Sequence, residues 1–190
     1  FENWGEKRSI ILRHDVDFDL KAAHDLYKIE KEVGVKSTFF ILLSSQTYNP
    51  FSLKNRSLIN DIVNDGFEVG LHFDPTLYGD ISSKNLILKF ESEVKILESL
   101  TDKKVKSVSL HNPSFHNQYP VFEGYNNAYD SLYFSDDIYL SDSCMNFRGK
   151  DPFAFAEKAK DTTLQILLHP IHFTHEGLNY EEIFSRFSYN

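Results

Sequence analysis

Short apolar runs alternate along this chain with longer stretches in which apolar residues recur at helical spacing, and the alternation predicts its elements. Residues 9–14 read as a buried strand that closes on a polar cluster. From residue 19 to residue 33 the positions Leu20, Ala23, Leu26, Tyr27, Ile29 and Val33 form a helical stripe, and Gly34 supplies the stop. The unit then repeats. Residues 38–43 read as a strand, a helix from near Ser52 carries Leu58, Ile59, Ile62 and Val63 and ends at Gly66, and residues 67–73 read as a third strand. A helix over 83–100, with Phe90, Val94 and Leu97 inward, leads to a fourth strand over 105–110. Beyond His111, Pro113, Pro120, Gly124 and several asparagines predict a long structured loop. A short strand over 138–140, a helix over 152–160, a strand over 164–168 and a final helix over 180–187 complete the pattern. Three successive strand–helix units predict parallel strands joined by right-handed crossovers, an α/β fold.

Composition changes this picture at a few points only. The 190 residues suit one domain spanning 1–190, large enough to bury a core without disulfides or a structural metal, so any metal is expected to serve chemistry. The 17 Phe and 10 Tyr favour strands and sugar-facing clefts, with core packing the default role of each. A net charge of −8 argues against a nucleic-acid partner, and the densest basic group, Lys103, Lys104 and Lys106, reads as a solvated loop. Cys144 is the single cysteine, which allows no intrachain disulfide and leans the expected location toward the cytoplasm. No apolar stretch is long enough to predict a membrane span, and the opening residues lack the pattern of a secretion signal, although a start at Phe1 leaves room for a segment upstream.

Parallel α/β sheets bring the carboxyl ends of neighbouring strands to one mouth, where ligands bind. Those ends are polar here: His14-Asp15-Val16-Asp17, Leu71-His72-Phe73-Asp74, Leu110-His111-Asn112-Pro113, Ser141-Asp142-Ser143 and Leu168-His169-Pro170. Alternation along an extended segment points Asp15 and Asp17 one way and His14 and Val16 the other. Two carboxylates in one site raise one pKa or recruit a cation, and a divalent metal with histidine partners resolves the conflict. Taken singly, Asp17, Asp19 and Asp74 suit helix N-caps. His24 suits a packing or surface place in its helix, His14 a hydrogen-bonded supporting place, and His116, His172 and His175 solvated loops. The joint placement of Asp15, Asp17, His72, His111 and His169 predicts a site.

The order of these segments resembles the polysaccharide deacetylase superfamily, the NodB-like carbohydrate esterases of family 4, in a divergent branch. Residues 11–17 look like the first motif of that family, 37–40 like its second strand, 66–72 like the segment leading to its metal histidines, and 167–169 like its final Leu-x-His. His111-Asn112-Pro113 falls where the family has an Arg-Pro motif. The resemblance covers most of the chain and implies a deformed (β/α) barrel of about six or seven parallel strands. It implies Asp15 as catalytic base, Asp17 and His72 as metal ligands, and His169 as general acid with Asp142 orienting it. Two positions depart from the pattern: the second metal histidine should fall where Thr76 stands, and the arginine is replaced by His111. Catalytic zinc normally takes three protein ligands. His111 is the first candidate for the third and Asp74 the second; the alternative for His111 is that it stands in for the arginine and holds Asp15.

The implied activity is metal-dependent removal of an acyl group, acetyl above all, from the nitrogen of an amino sugar in a polysaccharide or its precursor. Zinc is the first-choice ion. In that mechanism Asp15 takes a proton from water, His169 donates one to the departing amine, and backbone N–H groups after His111 are candidates for the oxyanion. Trp4, Tyr48, Tyr78, Phe115 and Tyr119 are aromatics available to stack on sugar. Two other classes compete: a catalytically inactive carbohydrate-binding or assembly protein on the same barrel, and a glycosidase pairing Asp15 with Asp142 or Asp74.

Overall fold

The computed structural model describes residues 9–80, 82–173 and 176–187; Trp4 and His175 lie outside the described residues. The strands are β1 (Ile10–Val16), β2 (Thr38–Leu42), β3 (Glu68–Phe73), β4 (Ser107–Leu110), β5 (Asn126–Asn127), β6 (Tyr139–Ser141) and β7 (Leu164–Leu168). They form one sheet in the order β5-β4-β3-β2-β1-β7-β6, and every pairing is parallel. The helices are α1 (Leu20–Val33), α2 (Leu53–Asn64), α3 (Ser83–Thr101), α4 (Pro113–His116), α5 (Pro152–Glu157) and α6 (Tyr180–Ser185). A sheet that runs from β1 to β5 on one side and meets β7 and β6 on the other is a barrel left open between β5 and β6. This is the expected deformed (β/α) barrel.

Local signals set the boundaries. Asp19 caps α1 by accepting the Lys21 N–H at 2.8 Å, and Gly34 ends it at a φ of 74°, which side chains with a Cβ adopt only under strain. Ser52 and Ser82 cap α2 and α3 in the same way. The helical stripes Leu20, Ala23 and Tyr27, Ile59 and Ile62, and Phe90, Val94 and Leu97 pack on Phe39, Ile41, Leu71, Phe73 and Val108 from the outer face of the sheet. Under α5 a smaller cluster of Leu140, Phe155, Leu164 and Ile166 does the same. Burying each large apolar side chain contributes about 1.5–3 kcal/mol, so this outer layer is the main source of the barrel's stability.

The alternate set of side chains faces the barrel interior, and there the lining is polar. Arg13 is fully buried; its Nη2 donates to Asp15 Oδ2 at 3.0 Å and to the Tyr129 hydroxyl at 2.9 Å, and its Nη1 donates to Gln165 Oε1 at 3.2 Å. Gln165 Nε2 in turn donates to the carbonyls of Ala128 and Tyr133 at 3.0 and 2.9 Å. Side chains from β1 and β7 therefore tie down the segment that spans the opening after β5, where no strand pairing is available. Gly70 makes the tight interior possible, because a Cβ there would lie 2.6 Å from the Phe40 ring and 2.8 Å from the Ser107 carbonyl.

Three expectations are corrected in detail. β1 runs two residues past its expected end at His14, because backbone pairing of Asp15 with Phe40 and Val16 with Ile41 is indifferent to side-chain polarity. The long loop after His111 contains α4 and the two-residue β5, which is too short to show a period. The helix expected over 152–160 is α5 followed by a separate 3-10 turn at Lys158–Lys160. Among the described residues no helix is long and apolar enough to cross a membrane.

Candidate active site

The carboxyl ends of β1, β3, β4 and β7 deliver their interior-facing side chains to one mouth. Asp17, just past β1, places Oδ1 at 3.0 Å from His72 Nε2 and 3.4 Å from His111 Nδ1, and the two imidazole nitrogens are 3.3 Å apart. His72 lies on β3 with its Nδ1 3.2 Å from the Ser109 carbonyl. A proton donated there leaves Nε2 as the lone pair facing Asp17, the arrangement found where histidines bind metals. Asp17 Oδ1 is buried and accepts no well-aligned hydrogen bond among the described residues. Ligands of a tetrahedral ion with bonds of about 2.0–2.1 Å sit about 3.3 Å from one another. Three donor atoms at 3.0 to 3.4 Å, one of them a buried oxygen that accepts no well-aligned hydrogen bond among the described residues, therefore fit one divalent ion.

Asp15 sits beside this triangle with its two oxygens in different states. Oδ2 accepts from Arg13 Nη2 and Ser109 Oγ, both at 3.0 Å, and Oδ1 is buried with no partner among the described residues. Across the mouth, His169 points Nε2 toward Asp17 Oδ2 at 3.8 Å. Its Nδ1 lies 2.6 Å from Asp142 Oδ1, and Asp142 also accepts the His169 backbone N–H and the ring of His172, whose Nδ1 is 2.9 Å from Oδ2.

The electrostatics follow from this packing. Burial works against the Asp17 charge, but the imidazoles of His111 and His72, with His169 behind them, hold the carboxyl far below the usual carboxylate range. Burial likewise disfavours protonated His72, yet the carboxylates of Asp15 and Asp17 push its pKa up. The pair of carboxylates calls for a cation, whether a proton or a metal. Burial opposes charge on His169 and Asp142 too, and their mutual hydrogen bond and attraction, together with Asp17 and Asp15 for the imidazole and His172 for the carboxyl, outweigh it, raising the imidazole's pKa and lowering the carboxyl's.

All six residues singled out from the sequence, Asp15, Asp17, His72, His111, Asp142 and His169, meet at this mouth. Asp74 does not join them: its Oδ1 caps the turn Pro75–Tyr78, accepting the Thr76 N–H at 2.9 Å and the Thr76 hydroxyl at 2.6 Å. The hydrogen bonds that hold Asp15 come from Arg13 and Ser109, while His111 turns to Asp17 and His72. Arg13 escaped the sequence reading, although the period-2 face of Asp15 and Asp17 extends back to it. His172 escaped too; expected in a solvated loop, it is packed on Asp142, because the 3-10 turn Pro170–His172 sets positions three apart on one side. His14 donates to Glu30 of α1 at 2.8 Å and His24 faces Asp61 of α2 at 3.0 Å, both supporting places. Tyr48 donates to the Val16 carbonyl and Tyr78 stacks on Phe73, both partly buried against the core, whereas Phe115 and Tyr119 are exposed.

No family model matches the sequence, and no curated protein does. Solved structures do match. A chitin deacetylase from Colletotrichum lindemuthianum aligns over 95% of this chain and 81% of its own, with a TM-score of 0.58 at 15% identity. A family 4 carbohydrate esterase from Bacillus anthracis aligns over 96% of this chain and 75% of its own, with a TM-score of 0.54 at 17% identity. The fold is that of the family 4 carbohydrate esterases. A pseudoenzyme of the same family from Bacillus anthracis aligns equally well, over 96% of this chain at 15% identity and a TM-score of 0.54. This chain spans less than two thirds of that pseudoenzyme's length, 61%. The esterase fold thus carries both active and inactive members, and the side chains at the mouth must decide between them.

Proposed function

We propose that this chain is a metal-dependent hydrolase that removes an acetyl group from the nitrogen of an amino sugar in a polysaccharide or its precursor. The reading rests on the triangle of Asp17 Oδ1, His72 Nε2 and His111 Nδ1, flanked by the unpartnered oxygen of Asp15 and by Nε2 of His169. Asp17, His72 and His111 would hold the ion, and two imidazoles with one carboxylate suit zinc. A divalent ion there supplies the charge that polarises a carbonyl and acidifies water. Asp15 accepts the proton at Oδ1, while Arg13 and Ser109 keep its other oxygen fixed. Asp142 holds the Nδ1 proton of His169, so that Nε2 faces the site and delivers a proton to the departing nitrogen; the Asp142 carboxylate favours the protonated imidazole, raising its pKa against the effect of burial. In the turn after His111 the N–H groups of Phe115 and His116 are engaged by the Asn112 carbonyl, so those of Asn112 and Ser114 are the candidates for the oxyanion. The names of the structural relatives, a chitin deacetylase among them, support an acetylated amino sugar.

A second reading, an inactive carbohydrate-binding or assembly protein, is favoured by Thr76 and by the pseudoenzyme among the structural relatives. The glycosidase reading loses its partners: Asp74 is a cap, and Asp142 is depressed in pKa where a general acid needs to be raised. Elemental analysis with an acetate-release assay on chito-oligosaccharides separates the first two. The hydrolase reading expects one metal per chain and acetate release that Asp15→Asn abolishes while the metal stays. Absence of both metal and acetate release after zinc is supplied selects the inactive reading.

A further inference from the structure

A cleft of about 300 Å³ opens beside this site, between the turn that follows His111 and the turn that carries Asp142. Its wall is aromatic: Tyr119, Tyr129, Phe134 and Tyr139 pack on one another with ring centroids 4.8 to 6.4 Å apart. The Tyr129 hydroxyl accepts from Arg13, which also holds Asp15, so the cleft wall is continuous with the site. Arg148 and Lys150 also line the cleft, with Asp136 the one acid among the lining residues. Lys150 donates to the Asp136 carbonyl at 3.0 Å, and the Arg148 guanidinium has no partner among the described residues.

The two halves of this lining select different parts of a ligand. Aromatic faces take the apolar face of a ring, and the volume sits at the low end of the roughly 300–1,000 Å³ of small-molecule sites, which suits a single ring. A guanidinium prefers a planar carboxylate or a phosphate, which it binds through two parallel N–H bonds. Both cations stand exposed at the cleft, two against the single lining acid Asp136, so the lining carries a local positive excess that a neutral sugar would not use, on a chain whose net charge is −8. We propose that this cleft is a subsite for the group next to the acetylated sugar, and that it takes an acidic one, a uronate carboxylate or a sugar phosphate. The position assigned to it rests on the deacetylase reading above.

The test is calorimetric binding of three probes to the unmodified protein: the neutral disaccharide N,N′-diacetylchitobiose, a glucuronate–N-acetylglucosamine disaccharide, and N-acetylglucosamine 1-phosphate. One charge-assisted contact corresponds to about a 10- to 100-fold preference for an acidic probe. The uronate probe binding tighter identifies a carboxylate subsite, and the phosphate probe binding tighter identifies a phosphate subsite; either supports the proposal. The double variant Arg148→Ala with Lys150→Ala is expected to reduce that preference to about threefold or less. Equal affinity for neutral and acidic probes, or a preference that survives the double variant, overturns it. Acetate release from chito-oligosaccharides, measured in parallel, shows whether the deacetylase reading stands or falls separately.

Discussion

Two Asp/His clusters face each other across the barrel mouth, built from the same residue types and differing in which lone pairs are left unbonded. In the first, Asp17 Oδ1 lies 3.0 and 3.4 Å from two imidazole nitrogens without a well-aligned hydrogen bond. In the second, both oxygens of Asp142 are engaged, by the rings of His169 and His172 at 2.6 and 2.9 Å and by the His169 N–H. A 2.6 Å contact is a charge-assisted hydrogen bond, shorter than the spacing of two ligands on one tetrahedral ion. Both clusters have the residue types of a metal site; the saturation of the carboxylate is what the proposed assignment of metal to the first and proton handling to the second rests on.

Substitutions that exchange the two behaviours are the direct way to break this comparison. Asp17→Ala is expected to cost the protein its stoichiometric metal, an effect beyond the roughly 10- to 100-fold in affinity that follows loss of an outer partner, whereas Asp142→Asn keeps the metal. Metal analysis finding the reverse would invert the two assignments. Asp142→Asn is instead expected to lower kcat by about 10²- to 10⁴-fold and to bring the His169 pKa down toward its ordinary value, read from an NMR titration of the imidazole. An unchanged titration would remove Asp142 as the group that orients His169.

Between the clusters lies Asp15, and Arg13→Met is expected to destabilise the fold by about 3–5 kcal/mol, because the buried carboxylate loses its cation. Denaturant unfolding checks this; a loss below about 1 kcal/mol would mean that the pair is dispensable. The second cluster should also imprint a pH dependence on stability. His169, raised in the folded state, contributes stability that is full below about pH 6.5 and is lost as pH rises through its raised pKa; Asp142, lowered, contributes stability present above about pH 3.9 and lost as pH falls through its depressed pKa. The Tm difference between the parent chain and Asp142→Asn should therefore be largest between about pH 4 and 6.5 and shrink above, and a difference constant with pH contradicts the linkage. The smallest effect is expected from His172→Ala, within about tenfold in kcat with metal retained, since His169 keeps its own bond to Asp142.

The elements were legible because periodicity is a property of the chain itself. The stripes at Leu20, Ala23 and Tyr27 or Phe90, Val94 and Leu97 need a partner surface whatever that surface is, and Asp19 and Gly34 bound the helix locally. The period-2 face of Asp15 and Asp17 was equally local, and with it the expectation that strand ends carry the site. Asp74 and Asp17 show the boundary of that reasoning. Both follow a strand and both suit a cap, yet Asp74 binds Thr76 within its own turn while Asp17 meets His72 and His111 from strands far along the chain.

What the sequence determined by itself is thus the α/β order, the polar strand ends and the carboxylate–imidazole inventory, since each depends on spacing over a few residues. Tertiary structure alone decided that Arg13 lies under Asp15, that His172 joins Asp142, and that His111 stands beside Asp17 with Asp15 held by other groups. Those facts depend on sheet order and register, which bring residues more than 150 positions apart into hydrogen-bonding range, as with His14 and the Leu168 carbonyl, 154 positions apart. No local pattern carries such distances, because the energy that sets them is the burial of one apolar face against another along the whole chain.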